Sequence, residues 1–133
     1  MAAYSESAVL VSEVAGTTFA ATDLYKFVHL DANGNVTLAA PSTNSFPYGV
    51  LYGRTTTTST GTRAVPVAIS GVAQVQMAAS TLAAGGYIAS STAGLGIAPS
   101  TDAYVAGQIT SGSSGTVGRI HSVRLFQGPG TIA

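Results

Sequence analysis

The sequence predicts an all-β protein, a small β-barrel or β-sandwich with an extended N-terminal arm. Three observations lead there. Gly, Ser and Thr punctuate the chain about every ten residues, the rhythm of short strands in barrels and sandwiches. The segments between are short, rich in β-branched and aromatic residues, and in places alternate apolar with polar. Asn33-Gly34 lies between two such segments and is the strongest short hairpin signal, since both residue types tolerate a positive φ.

Residues 1–23 are read as the arm. Ala8-Val9-Leu10-Val11 is apolar and β-prone, but no polar face accompanies it, which suits a segment packed on something else. Residues 24–133 are read as a single β-rich domain. Its first strand covers 24–30, the Asn33-Gly34 turn follows, and 36–40 returns. Residues 48–53 form a third strand, and the Thr- and Ser-rich run 54–62 an exposed loop. In 64–69, Val65, Val67 and Ile69 share a side. Pro66 cannot donate a ladder hydrogen bond, so this segment is expected at a sheet edge or with a bulge. After a turn at Ser70-Gly71, Ala73, Val75 and Met77 point inward, with Gln74 and Gln76 outward. Residues 78–84 suit one or two helical turns, or a loop, stopped by Gly85-Gly86. A second hairpin runs from Tyr87 to Ala98 through Ala93-Gly94. Residues 103–110 and 117–126 are the last strands, and Gly128-Pro129-Gly130 ends regular structure.

The first hairpin is apolar on both sides. Leu24, Val28 and Leu30 share one face, and Tyr25 and Phe27 the other, as in a strand lying between two packed layers.

Charged residues make up only 8% of the 133-residue chain and cancel, five Lys and Arg against five Asp and Glu. An ordinary soluble domain carries about 25%. With 46% hydrophobic residues and a mean hydropathy of +0.38, the chain presents small uncharged surfaces that favour association. The charges are unevenly placed. Residues 1–31 hold Glu6, Glu13, Asp23 and Asp31 against Lys26, a net −3, and the remainder holds Arg54, Arg63, Arg119 and Arg124 against Asp102, a net +3. An acidic N-terminal segment meeting a basic surface, in the same or a neighbouring subunit, is the expected use of that asymmetry. Four scattered arginines do not make a nucleic-acid surface. No stretch reaches about 18 apolar residues, so no membrane span is expected. Met1 to Glu6 lacks the basic, apolar signature of a secretory leader.

Catalytic chemistry finds little footing. His29 and His121 each lie among apolar strand neighbours and read as hydrogen-bonded strand residues; no Gly-x-Ser-x-Gly elbow occurs. There is no Cys, and the carboxylates are isolated, so no metal site or other cofactor is expected. Asp31, Asn33 and Asn35 have the alternation of a calcium loop, but no acidic residue closes it, and the hairpin explains them. Tyrosines are a different matter. Tyr48, Tyr52, Tyr87 and Tyr104 suit half-buried sheet faces and protein interfaces, or platforms for sugars, and Tyr48, Tyr52 and Tyr104 are candidate interface contacts. Arg119 and Arg124 are candidate polar anchors at an interface, as are Glu6 and Glu13 on the acidic arm.

The second half has a further organisation. Val65-Pro66-Val67-Ala68-Ile69-Ser70-Gly71-Val72-Ala73-Gln74-Val75 is followed by Leu82-Ala83-Ala84-Gly85-Gly86-Tyr87-Ile88 and a turn with Gly94. Val105-Ala106-Gly107-Gln108-Ile109 then leads through a Gly/Ser turn to Gly118-Arg119-Ile120-His121-Ser122-Val123-Arg124-Leu125. Over residues 48–126 this succession resembles the small head-decoration, or capsid cement, proteins of tailed bacteriophages. Gly86 stands where that family often has Asp, and Gln108 interrupts an apolar strand. The resemblance implies a homotrimer without enzymatic activity on the outer surface of a virion, made in a bacterial cytoplasm. It would bind the major capsid protein at junctions between its subunits. The competing expectation is a carbohydrate-binding β-domain, as on a tail fibre, built on tyrosine platforms.

Overall fold

A computed structural model describes residues 8–17, 19–38, 46–53, 64–78, 84–91, 93–99, 104–110 and 120–126. They form one antiparallel sheet of nine strands, curled as a half-barrel: β1 (Val9–Val14), β2 (Phe27–Leu30), β3 (Val36–Thr37), β4 (Gly49–Leu51), β5 (Ala64–Gln76), β6 (Tyr87–Ser90), β7 (Gly96–Ile97), β8 (Gly107–Ile109) and β9 (Ile120–Leu125). The order is β3-β2-β4-β5-β9-β8-β6-β7, with β1 also on β5. The all-β expectation holds. Of the expected arm, residues 1–7 lie outside the described residues. Val9–Val14 belongs to the sheet, and Ala15 and Phe19 are buried in the core.

β5 organises the rest. Its first half pairs with β1 and β4, and its second half, from Gly71, with β9. Two expectations are corrected here. Ser70-Gly71 is not a turn between strands, because the 13-residue strand runs through it with Gly71 at φ +85°. Nor is Pro66 on an edge strand: β5 has β4 on one side and β1 on the other, where Pro66 faces Ser12. β4 stops at Leu51, just short of it, so the N–H that Pro66 lacks is not called upon. The Pro66 carbonyl still accepts the Tyr52 N–H at 2.9 Å. The first expected strand also starts later, at Phe27. Residues 21–23 form a 3₁₀ turn, and Tyr25 takes a left-handed φ of +69°. It is held there by bonds from its N–H to Leu51 O and to its carbonyl from Gln76 N–H, both 2.7 Å.

The hydrogen bonds resolve the sheet into two copies of one five-strand unit. The first is β1, β2, β3, β4 and the front half of β5; the second is the back half of β5, β6, β7, β8 and β9. Phe27 pairs with Val50 and Val28 with Gly49 in the first, as Tyr87 pairs with Gln108 and Ile88 with Gly107 in the second. The parallel bridge Ala15–Val36 is matched by Met77–Gly96. Single bonds repeat too: Tyr48 N–H to Val28 O and Ala106 N–H to Ile88 O, both 2.8 Å, and Tyr25 N–H to Leu51 O and Gly85 N–H to Ile109 O, both 2.7 Å. Even the left-handed Tyr25 has its counterpart in Gly85, at φ +88°.

The two hairpin turns are built alike. Asp31 N–H donates to Asn35 O, and Oδ1 of Asp31 accepts the N–H groups of Asn33 and Asn35. Ser91 N–H donates to Leu95 O, and its Oγ accepts from Ala93 and Leu95. Both side chains make the local turn that Asp and Ser favour. Among the described residues of these two turns, Gly34 and Gly94 are the left-handed ones. Asn33 therefore does not use the positive φ expected of it.

Each unit has its own core. Ala15, Phe19, Val28, Val36, Leu51, Val65 and Val67 fill the first. Ala73, Val75, Met77, Ile88, Ala106, Ile109, Val123 and Leu125 fill the second, joined by Phe27, Val50 and Ala68. Those last three come from the opposite face of the first unit's strands to Val28, Leu51 and Val67. The first unit thus lays its outer face on the second unit's core, which is why its strands are apolar on both sides. Hydrogen bonds fasten the join: Phe27 N–H to Gly94 O at 2.7 Å, Gln76 N–H to Tyr25 O, Gln74 N–H to the Tyr52 hydroxyl at 2.6 Å, and Gln76 Nε2 to the carbonyls of Thr22 and Leu24, both 2.7 Å.

Candidate functional site

Most of the acidic N-terminal segment is engaged within the chain. Asp23 accepts Ala20 N–H at 2.7 Å and pairs with Lys26 at 3.2 Å, the sole ion pair among the described residues. Asp31 holds its turn, and Glu13 accepts a short hydrogen bond from the Tyr48 hydroxyl. That bond, followed by burial and the carboxylate's charge, raises the Tyr48 hydroxyl above its ordinary value of 10.0. Within the chain these three carboxylates meet a turn, a lysine of the same segment and a tyrosine hydroxyl from a distant one, and no arginine among the described residues. Glu6 and Arg119 lie outside the described residues. Tyr52 packs edge-on against Tyr25 at 5.3 Å and bonds Gln74, while Tyr104 stands edge-on to Phe46 at 6.3 Å. Of the expected contacts among the described residues, Arg124 alone is exposed, and it has no carboxylate partner among them.

His29 departs from expectation. It is only 2% exposed, and neither ring nitrogen has a partner among the described residues. A buried polar group left so costs about 1–3 kcal/mol. It lines a cleft of about 510 Å³ with Leu30, Phe46, Pro47, Tyr48, Ile69 and Phe126. In the second unit, Ala89 and Ala106 occupy the positions of His29 and Tyr48, and both are buried. Burial lowers the His29 pKa below its ordinary 6.5. The unfolded chain then binds a proton more readily than the folded one. The stability His29 allows is complete above pH 6.5 and lost as pH falls through its lowered folded value. Thermal melting should therefore drop between pH 7.5 and 5, and His29→Phe should flatten that part of the profile. A profile unchanged by the substitution would refute the assignment. Among the described residues, no group of three His, Cys, Asp or Glu side chains is placed to hold a metal ion.

On the second unit's outer face, three strands carry a ladder. Tyr87 opposes Gln108, and Gln108 opposes Arg124, so the three side chains share one side of the sheet. Arg124 Nη2 donates to Gln108 Oε1 at 3.0 Å, and Gln108 Nε2 donates to Gly85 O at 3.0 Å. The guanidinium also lies over the Phe126 ring, 5.3 Å from its centre, and Tyr87 meets the same ring at 6.0 Å. A cation fixed by an amide and an aromatic face keeps most of its donors for a ligand at little further ordering cost. Sequence reading found Arg124, named Tyr87 among the tyrosines suited to a sheet face or an interface but not among the candidate contacts, missed Phe126, and took Gln108 as an interruption. The signal was that interruption itself: a polar residue in an apolar strand marks the face left open.

Fold and surface together define a class: an all-β chain of two fused five-strand units, with one face of the second unit that sets aromatic rings beside an amide and a guanidinium. Comparison with protein-family models and with curated proteins finds no match to this chain.

Proposed function

We propose that the chain is a structural capsid cement protein, which assembles as a homotrimer on the outer surface of a phage head. It would bridge major capsid protein subunits and stabilise the shell by binding its assembled form alone. Besides the resemblance over residues 48–126, one observation supports this reading above others. β1 presents Val9, Leu10 and Val14 to solvent, with Leu10 49% exposed. An apolar flanking strand in a chain with so few charges is an assembly element, since such edges otherwise invite indiscriminate pairing. In the second unit, the equivalent edge of β5 is taken by Tyr25 and Tyr52; on β1 a neighbouring subunit would take that place.

Light scattering at micromolar concentration should give a trimer, and the protein should co-sediment with shells assembled without it and raise their heat resistance. The pair Leu10→Asp and Val14→Asp should fold but weaken self-association by roughly ten-fold or more, because each buries a charge in an apolar contact. A monomer that leaves shells unprotected would remove the proposal.

A second reading, a carbohydrate-binding domain, gains from the ladder, which sets an aromatic ring beside an amide and a guanidinium. Saturable glycan binding lost in Tyr87→Ala would favour it.

A further inference from the structure

We infer that the Tyr87–Gln108–Arg124 face is the surface that docks a protein partner carrying a carboxylate beside apolar side chains, and that in the proposed setting this partner is the capsid subunit. The internal duplication supplies the argument. In the first unit the same three positions are Phe27, Val50 and Ala68, which lie buried against the second unit's core. A face of this shape is thus already used, within the molecule, to seat a layer of protein.

In the second unit that face is left open. Tyr87 is 48% exposed and Arg124 is exposed. Its chemistry has changed in step, from wholly apolar to tyrosine, glutamine and arginine. Those substitutions suit a surface that must exist both free and bound, and Tyr and Arg are the residue types that dominate separable interfaces. Arg124 is poised by Gln108 and Phe126, has no carboxylate among the described residues to neutralise it, and offers a planar fork of donors. Charge complementarity therefore asks for an acidic residue on the partner. Tyr87 and Phe126 ask for an apolar neighbour beside it.

The inference rests on the cement reading for the partner's identity, and the experiment separates the two. Wild-type protein, Arg124→Glu, Arg124→Gln and Tyr87→Ala are each titrated onto shells assembled without the protein, with self-association followed by light scattering. All three substitutions are at exposed positions, and thermal unfolding confirms that they fold. The expected result is wild-type binding, a loss of about ten-fold or more in apparent shell affinity for each variant, and unchanged self-association. Wild-type-like shell binding by the variants overturns this inference and leaves the cement reading standing. Dissociation of the variants into monomers overturns it by making a second copy the occupant. A wild-type protein that ignores shells removes both.

Discussion

Gly94→Ala should unfold at a markedly lower denaturant concentration than Gly34→Ala, although the two glycines hold the same place in matching turns. Both have a left-handed backbone, φ +85° and +80°, so an added Cβ costs each about 1–2 kcal/mol. The surroundings differ. A Cβ on Gly34 would meet nothing within 4 Å, whereas one on Gly94 would lie 2.6 Å from Phe27 O and 3.3 Å from Lys26 Cβ. The Phe27 carbonyl cannot retreat without disturbing the Phe27 N–H bond to Gly94 O, which joins the two units. Relieving that overlap costs about 1–3 kcal/mol more. Chemical denaturation of both variants measures the difference directly, and equal midpoints would contradict this account of the join.

Phe27→Ala should be the most damaging of the simple truncations, at about 3–5 kcal/mol, with Leu51→Ala at about 2–5 kcal/mol. Phe27 and Leu51 are fully buried on opposite faces of neighbouring strands, one in each core. A sheet with a single buried face would suffer from only one of these changes. Tyr87→Ala, at the position matching Phe27, should cost under about 1 kcal/mol, because that ring is half exposed. The triad of variants, compared by urea unfolding, tests whether the first unit is sandwiched while the second is open. Comparable losses for Phe27→Ala and Tyr87→Ala would show that the two faces are not differently used.

The elements with local causes were legible. Asp31 to Asn35 and Ser91 to Leu95 read as turns because their side chains and glycines act within five residues. Ala73, Val75 and Met77 read as a buried face because alternation follows from strand geometry alone. Pro66 misled, since its tolerance depends on where β4 ends, a matter of pairing between distant segments. Ser70-Gly71 misled for a related reason: a positive φ at glycine serves a turn or a continuing, bent strand equally well, and only the partners β4 and β9 decide which. The site was half legible. Arg124 stood out as a rare charge, but that Tyr87, Gln108 and Arg124 form one face depends on register across β6, β8 and β9.

By itself the sequence determined the class of fold and the scarcity of charge, because composition and period-two alternation act on each segment separately. It also determined that the strands of the first hairpin must be covered on both faces. The tertiary structure alone decided what covers them, and that the chain is one unit built twice. Few identities mark the duplication: Gly34 with Gly94, Gly49 with Gly107, and Val67 with Val123. The matching backbone hydrogen bonds do not depend on side-chain identity, so the two halves could diverge, His29 against Ala89 and Phe27 against Tyr87, while the shared pattern persisted. Which face is core and which is open is set by one unit lying on the other, a contact between residues far apart in the chain that no local pattern records.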